Sequence, residues 1–152
     1  MENMVDIPII QFSFADARVA LREKRRLKAF IADLFQSEGR QLKRLQYVFC
    51  SDAYLLEINK AYLDHDEYTD IVTFEMADHP RERTEGEIYI SVDRVRENAK
   101  ELRVTFQEEL LRVIFHGALH LCGHKDKSPE EQTGMRFLED KYLRAFEVPR
   151  GT

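Results

Sequence analysis

The sequence predicts an α+β domain, and three observations support this fold class. Four short segments rich in β-forming residues alternate along the chain with about five segments of helical periodicity. No linker rich in Ser, Gly or Pro divides the 152 residues, a length typical of one domain. No apolar run reaches the roughly 18 residues that a transmembrane helix needs. We therefore expect a single domain over residues 1–152.

The first half of the chain is expected to form two strands and two helices. Alternating side chains predict a strand over residues 7–14, and a run of β formers predicts another over 44–50. Between them, residues 23–37 place apolar side chains on one helical face. Ser51 is expected to cap a second helix that ends near Tyr62.

The second half is expected to add two strands and three helices. Residues 69–76 and 86–91 predict strands, and Ser91 is placed to begin a helix. The sequences TFQE and SPEE match capping boxes, which predict one helix over 105–122 and another that starts after Ser128. The last helix is expected to bury one apolar stripe, which consists of Met135, Leu138, Tyr142 and Phe146.

Charge is distributed unevenly along the chain. The net charge of −5 disfavours loose binding to nucleic acid, but the first third of the chain is net basic, with the positive side chains concentrated in 22–28 and 40–44. Such runs are usually a solvated helix face or turn. The alternative is that side chains of these runs, such as Arg25, Arg26 and Lys43, contact phosphate groups.

The N-terminus and the cysteines indicate the compartment. The first residues lack the cleavage site of a secretory signal, so we expect a cytoplasmic protein with no membrane partner. Cys50 and Cys122 form no CxxC pair and are interpreted as small buried hydrophobic residues. A disulfide is not expected in a reducing compartment.

A narrow polar stripe crosses the otherwise apolar helix predicted over 105–122. Its members, which fall within about 80° of one another, are Glu109, Arg112, His116 and His120. Side chains at i and i+4 are neighbours, so His116 and His120 can reach one ion at about 2.0–2.1 Å each. We interpret this pair as metal ligands rather than as hydrogen-bonded core histidines.

The third ligand must come from beyond the helix. Gly123 suits the end of the helix and lets the chain turn back, which leaves Asp126 and His124 as candidates. Three protein ligands would leave one position open, as a catalytic zinc site requires, and these donor types suit Zn²⁺, Ni²⁺ or Fe²⁺. A peptidase of the HExxH type is disfavoured because Gly117 occupies the position of its general-base Glu.

Three stretches of the chain resemble the YbeY family of metal-dependent endoribonucleases. The sequence HGALHLCGHKD (116–126) is similar to the family hallmark H-G-x-L-H-L-x-G-x-D-H. Residues 58–74 resemble N-x-x-Y-R-x-x-D-x-x-T-D-V-L-S-F, and residues 86–91 resemble G-D-I-x-I-S. The matching stretches occur in the family's order, which makes the resemblance specific.

The resemblance implies a small mixed four-stranded sheet packed with about five helices around a zincin-like metal cleft. It implies a single-strand-specific endoribonuclease acting in rRNA processing, at the 3′ end of 16S rRNA, and in ribosome quality control. The implied partners are rRNA and the ribosomal subunit. The implied cofactor is one divalent transition metal ion, with Zn²⁺ favoured.

The chain departs from the family pattern at the third ligand. The third histidine of the family corresponds to Asp126, and a carboxylate can replace imidazole in a three-ligand site. The predicted ligands are therefore His116, His120 and Asp126. Other family positions carry residues that we interpret as turn and cap residues: Asn59, Asp66, Thr69 and Asp70.

A second departure affects catalysis. An arginine of the family corresponds to Leu63, so another cation would have to serve. Arg112 and Glu109 are candidates for supporting catalysis. The candidates for contacting RNA are Arg25, Arg26, Lys43, Lys125 and Lys127. The alternative function is a metal-stabilised assembly factor that binds ribosomal RNA or protein without cleaving it.

Overall fold

Four strands form one sheet at the centre of the computed structural model, which describes residues 7–63, 68–76 and 83–147. In chain order the elements are β1 (Ile9–Phe14), α1 (Lys24–Ser37), β2 (Leu42–Cys50), α2 (Asp52–Leu63), β3 (Ile71–Glu75), β4 (Thr84–Ser91), α3 (Val92–Leu102), α4 (Phe106–Leu121) and α5 (Pro129–Glu147). The expected α+β class, with four strands and five helices, is thereby confirmed. Asp66 lies outside the described residues.

The sheet is mixed and has the strand order β1-β2-β4-β3. Strands β1, β2 and β4 run parallel, whereas β3 pairs antiparallel with β4. Parallel neighbours need crossover connections, which α1 provides between β1 and β2. The antiparallel β3 is left as one edge of the sheet, and this edge borders the site described below.

Helices cover both faces of the sheet. The main core lies between the sheet and α1, α3, α4 and α5, where Phe35, Tyr47 and Phe115 are fully buried. A smaller cluster of Cys50, Leu55 and Val72 packs α2 against the other face. Burial in these clusters supplies most of the stabilising apolar contact.

Both cysteines behave as the sequence predicts. Cys50 and Cys122 are buried, and neither forms a disulfide. Burial raises the pKa of each thiol to about 12. Both thiols are therefore protonated at neutral pH and act as packing residues.

Two glycines fix the position of α4. A Cβ on Gly117 would stand 2.9 Å from the side chains of Ile71 and Ile88, so glycine lets this helix lie directly against β3 and β4. Gly123 has φ of +102°, which reverses the chain after α4 at little steric cost. Together they hold the middle of α4 on the sheet and return the chain toward it.

The predicted helix caps are present. The hydroxyl groups of Ser91, Thr105 and Ser128 accept hydrogen bonds from backbone N–H groups of the first helical turns. In the second capping box, a Glu131 carboxylate oxygen also accepts from the Ser128 N–H at 3.0 Å. No helix within the described ranges is long and apolar enough to cross a membrane.

Candidate metal centre

Three side chains from α4 and the turn after it converge on one point. Asp126 Oδ2 lies 3.3 Å from Nε2 of His116 and 3.3 Å from Nε2 of His120. The ligand atoms all lie within 4.8 Å of one another. The two imidazole rings meet edge to face with centroids 4.8 Å apart. The i, i+4 spacing and the turn at Gly123 thus produce the expected cluster.

These separations fit a small divalent ion. Donors held at about 2.0–2.1 Å from a tetrahedral zinc stand about 3.3 Å apart, which is the separation of Asp126 from each histidine. Two imidazoles and a carboxylate are also the donor types that zinc and its neighbours in the first transition row prefer. All three side chains are partly accessible, so a substrate group could reach an ion held there.

The competing ligand, His124, lies elsewhere. Its Nε2 is 2.7 Å from a carboxylate oxygen of Glu38, and the other oxygen of Glu38 accepts a hydrogen bond from the Tyr142 hydroxyl. This network ties the turn after α4 to α1 and α5. His124 is therefore committed to holding the turn, and Asp126 is the third donor that the geometry favours.

A buried carboxylate on α5 supports the first histidine. Glu139 is 5% exposed, and its Oε2 lies 2.6 Å from Nδ1 of His116. With Nδ1 donating to Glu139, the Nε2 lone pair is directed to the cluster, as in other carboxylate–histidine–zinc arrangements. Arg112 donates to the other oxygen of Glu139 at 3.1 Å. Arg112 thus orients Glu139, one step behind the ligands.

The same contacts set the protonation of His116. Burial lowers the pKa of this imidazole, but the bond to Glu139 and the charge of Asp126 outweigh that effect. The pKa therefore lies above its ordinary value. A metal ion must displace this proton, so metal affinity is expected to weaken as the pH falls.

The cluster opens on a cleft of about 650 Å³. The residues that line it are Asn59, Leu63, Tyr68, Thr69, Asp70, Ile71, Val72, Thr73, His116, His120 and Asp126. Leu63, which replaces the family arginine, is thus part of this wall. Asn59, Thr69 and Asp70, interpreted above only as turn and cap residues, line the same cleft as the ligands.

Glu109 does not reach this cleft as a free carboxylate. It is 4% exposed, and its Oε1 has no hydrogen-bond partner within the described ranges. Burial raises the pKa of Glu109 to about 7, with Asp70 and Glu139 adding to the shift and Arg112 opposing it. The side chain is a buried acid near the site.

Replacing Glu109 by glutamine is expected to stabilise the protein above neutral pH. The pKa is higher in the folded state than the value of about 4.3 in an unfolded chain. The contribution of Glu109 to folding is therefore fully present below about pH 4 and is lost as the pH rises through about 7. At pH 8 the variant should exceed the wild type by up to about 3 kcal/mol in free energy of unfolding, as measured by urea denaturation. The exposed Glu101→Gln variant is the control. If the stability gained by Glu109→Gln over the wild type were the same at pH 5 and pH 8, as expected for the control, the raised pKa of Glu109 would be contradicted.

The predicted RNA-contacting residues lie apart from the cleft wall. Arg26 is used inside the fold, because its guanidinium donates to the Phe146 carbonyl and covers that ring at 3.8 Å. Lys43 lies 3.8 Å from Glu85 at the surface. Arg25, Lys125 and Lys127 are exposed. A role of these side chains in RNA binding stays a prediction.

Comparisons with known proteins show what the chain is similar to. The sequence model of the family described as endoribonuclease YbeY matches residues 11–147. An endoribonuclease YbeY of Flavobacterium psychrophilum is 44% identical over 128 residues, which cover 84% of this chain and 90% of the relative. One of Cytophaga hutchinsonii is 42% identical over 134 residues, covering 88% and 93%.

The fold also has a solved counterpart. A solution structure of a Thermotoga maritima protein covers 95% of this chain and 99% of its own, with a TM-score of 0.59 and 24% sequence identity. At this identity the likeness bears on the fold alone. It shows that the mixed sheet with its covering helices occurs in an experimentally determined structure.

Proposed function

The chain belongs to the endoribonuclease YbeY family, and we propose that it is a metal-dependent endoribonuclease specific for single-stranded RNA. The proposal rests on the cluster of His116, His120 and Asp126, which lies on an open cleft in a chain whose relatives are endoribonucleases. We place its action in rRNA processing, at the 3′ end of 16S rRNA, and in ribosome quality control in the cytoplasm. Its partners would be rRNA and the ribosomal subunit.

We assign one divalent ion, Zn²⁺, to the three ligands. When bound, the ion would act as a Lewis acid that polarises a phosphate oxygen or lowers the pKa of a bound water molecule. Other side chains position the ligands. Glu139 orients His116 through Nδ1, and the His124–Glu38 contact holds the turn that contains Asp126. Gly117 keeps the helix against the sheet, so the ligands stay beside β3.

One observation favours the second candidate, a non-catalytic assembly factor. Leu63 lines the cleft where the family has an arginine, and no Lys or Arg is among the described residues that line it. No cationic side chain of the cleft wall would then stabilise the negative charge of a phosphorane. A metal-stabilised factor that binds ribosomal RNA without cleaving it accounts for this difference.

Cleavage of a labelled single-stranded RNA separates the two candidates. The purified protein, with one equivalent of Zn²⁺, is incubated with the RNA in the presence and absence of a chelator, beside His116→Ala. We expect cleavage that the chelator and the substitution each reduce by more than about 100-fold, because an ion lost from the site takes its Lewis acidity with it. Binding without cleavage in any of these samples would favour the assembly factor. A cleavage rate that neither chelator nor substitution changes would exclude the metal mechanism.

A further inference from the structure

Apolar side chains share the cleft with the metal cluster. Leu63 and Tyr68 line it and are 41% and 57% exposed, so a ligand in the cleft can reach both. Lys and Arg are absent from the described residues that line the cleft. Apart from the ion, a substrate would therefore meet no cation among the described lining residues, and Leu63 and Tyr68 offer it an apolar surface.

The ring of Tyr68 contacts a cation that is itself fixed. The guanidinium of Arg94 lies 5.5 Å over the ring of Tyr68, and it is fixed by an ion pair with Asp52 at 2.7 Å. This contact restricts the ring while leaving more than half of the side chain exposed. A restrained, exposed aromatic ring is a suitable stacking platform for a planar ligand.

The neighbouring edge of β3 supplies hydrogen-bonding groups. The Ser91 N–H donates to the Asp70 carbonyl, and the Met76 N–H donates to the Glu85 carbonyl. Asp70 and Met76 thus face β4, so the alternation of an antiparallel pair turns the N–H and C=O of Thr73 to the open edge. Thr73 also lines the cleft. A donor and an acceptor side by side can pair with the Watson–Crick edge of a nucleobase.

We propose that this part of the cleft is a nucleobase subsite for RNA, with the base stacked on Tyr68 and Leu63 and its edge bonded to the Thr73 backbone. The inference rests on the proposed function and deepens it. A base in a duplex has neither a free face nor a free Watson–Crick edge, so the subsite selects unpaired RNA. Stacking also holds the strand without a cation in the wall.

Binding of short RNAs that carry a single 2-aminopurine tests this subsite, with the fluorescent base moved through successive positions. For the wild type with Zn²⁺ bound, we expect strong quenching at one position. Tyr68→Ala should weaken binding by roughly 5- to 150-fold and remove the quenching, whereas Tyr68→Phe should keep both. The slope of affinity against salt should not change, because no phosphate contact is lost.

Two further variants make the result decisive. Leu63→Ala should weaken binding in the same direction as Tyr68→Ala. Phe137→Ala, which removes an aromatic side chain that is 69% exposed but lines a different hollow, should bind as the wild type does.

Unaltered affinity and quenching in both Tyr68→Ala and Leu63→Ala would overturn the subsite, whether or not the protein cleaves RNA. Position-specific quenching without cleavage would support the subsite and count against the endoribonuclease proposal. A wild type that binds none of the RNAs would overturn both.

Discussion

Replacing Asp126 by alanine is expected to lower the affinity for Zn²⁺ by more than about 100-fold. Residues that merely support a ligand are typically worth 10- to 100-fold in metal affinity, and Asp126 lies 3.3 Å from both histidine nitrogens, as a ligand would. Its removal leaves two neutral imidazoles, which is too few for a stable zinc site. Competition with a chromophoric chelator measures the affinity directly.

The matched control is His124→Gln. Its amide can still donate to Glu38, so the turn that positions Asp126 should be preserved. We expect the affinity of this variant to stay within about threefold of the wild type, since only a small change at the turn is made. A loss in His124→Gln that equals the loss in Asp126→Ala would mean that His124 is a ligand.

Replacing Glu139 by alanine is expected to reduce the free energy of unfolding by about 3 kcal/mol or more. The carboxylate is buried and joins two elements, because it bonds to both His116 and Arg112 on α4. Removing one partner of a buried charge pair typically costs 3–5 kcal/mol, since the remaining charge stays desolvated. Such a loss is a large part of the 5–15 kcal/mol that usually stabilises a domain. Chemical denaturation of the metal-free protein measures it.

Asp140→Ala provides the comparison for this second substitution. Asp140 also pairs with Arg112, at 2.9 Å, but its side chain is 39% exposed. An exposed ion pair is worth about 0–1 kcal/mol, so this variant should remain close to the wild type. Equal losses in the two variants would show that burial of Glu139 has no special effect. In that case the support of His116 by Glu139 would also be in doubt.

Much of the fold could be predicted because its determinants are local. Capping residues such as Thr105 and Ser128 act within one helical turn, and the apolar periods of the strands and helices extend over a few residues each. The two histidines were found for the same reason, since an i, i+4 spacing places them on one face of any helix. Their convergence with Asp126 required only the turn at Gly123.

Interactions across the fold were harder to infer. The choice between Asp126 and His124 depends on Glu38, which lies 86 residues before His124. Glu139 was missed because its partner His116 is 23 residues away on another helix. One signal was available: Glu139 falls on the stripe of α5 that buries Met135 and Tyr142, and a carboxylate there needs a partner.

The sequence also did not reveal which basic side chains are exposed, because this depends on the fold. The run at 22–28 suggested one cationic surface, but Arg26 is half-buried and bonds to the end of α5. Sequence alone does not distinguish a long side chain that packs from one that is solvated. Leu63 shows the same limit: the sequence revealed a missing arginine, and only the structure placed the leucine in the cleft wall.

Locating the bound ion would show whether His116, His120 and Asp126 form the metal site. Crystals of the protein grown with Zn²⁺ would be measured at the zinc absorption edge, where anomalous scattering locates the metal. We expect one peak per chain, within coordination distance of His116 Nε2, His120 Nε2 and Asp126, on the side of the cluster that faces the cleft. A peak between His124 and Glu38, or none among the three predicted ligands at full zinc loading, would contradict it.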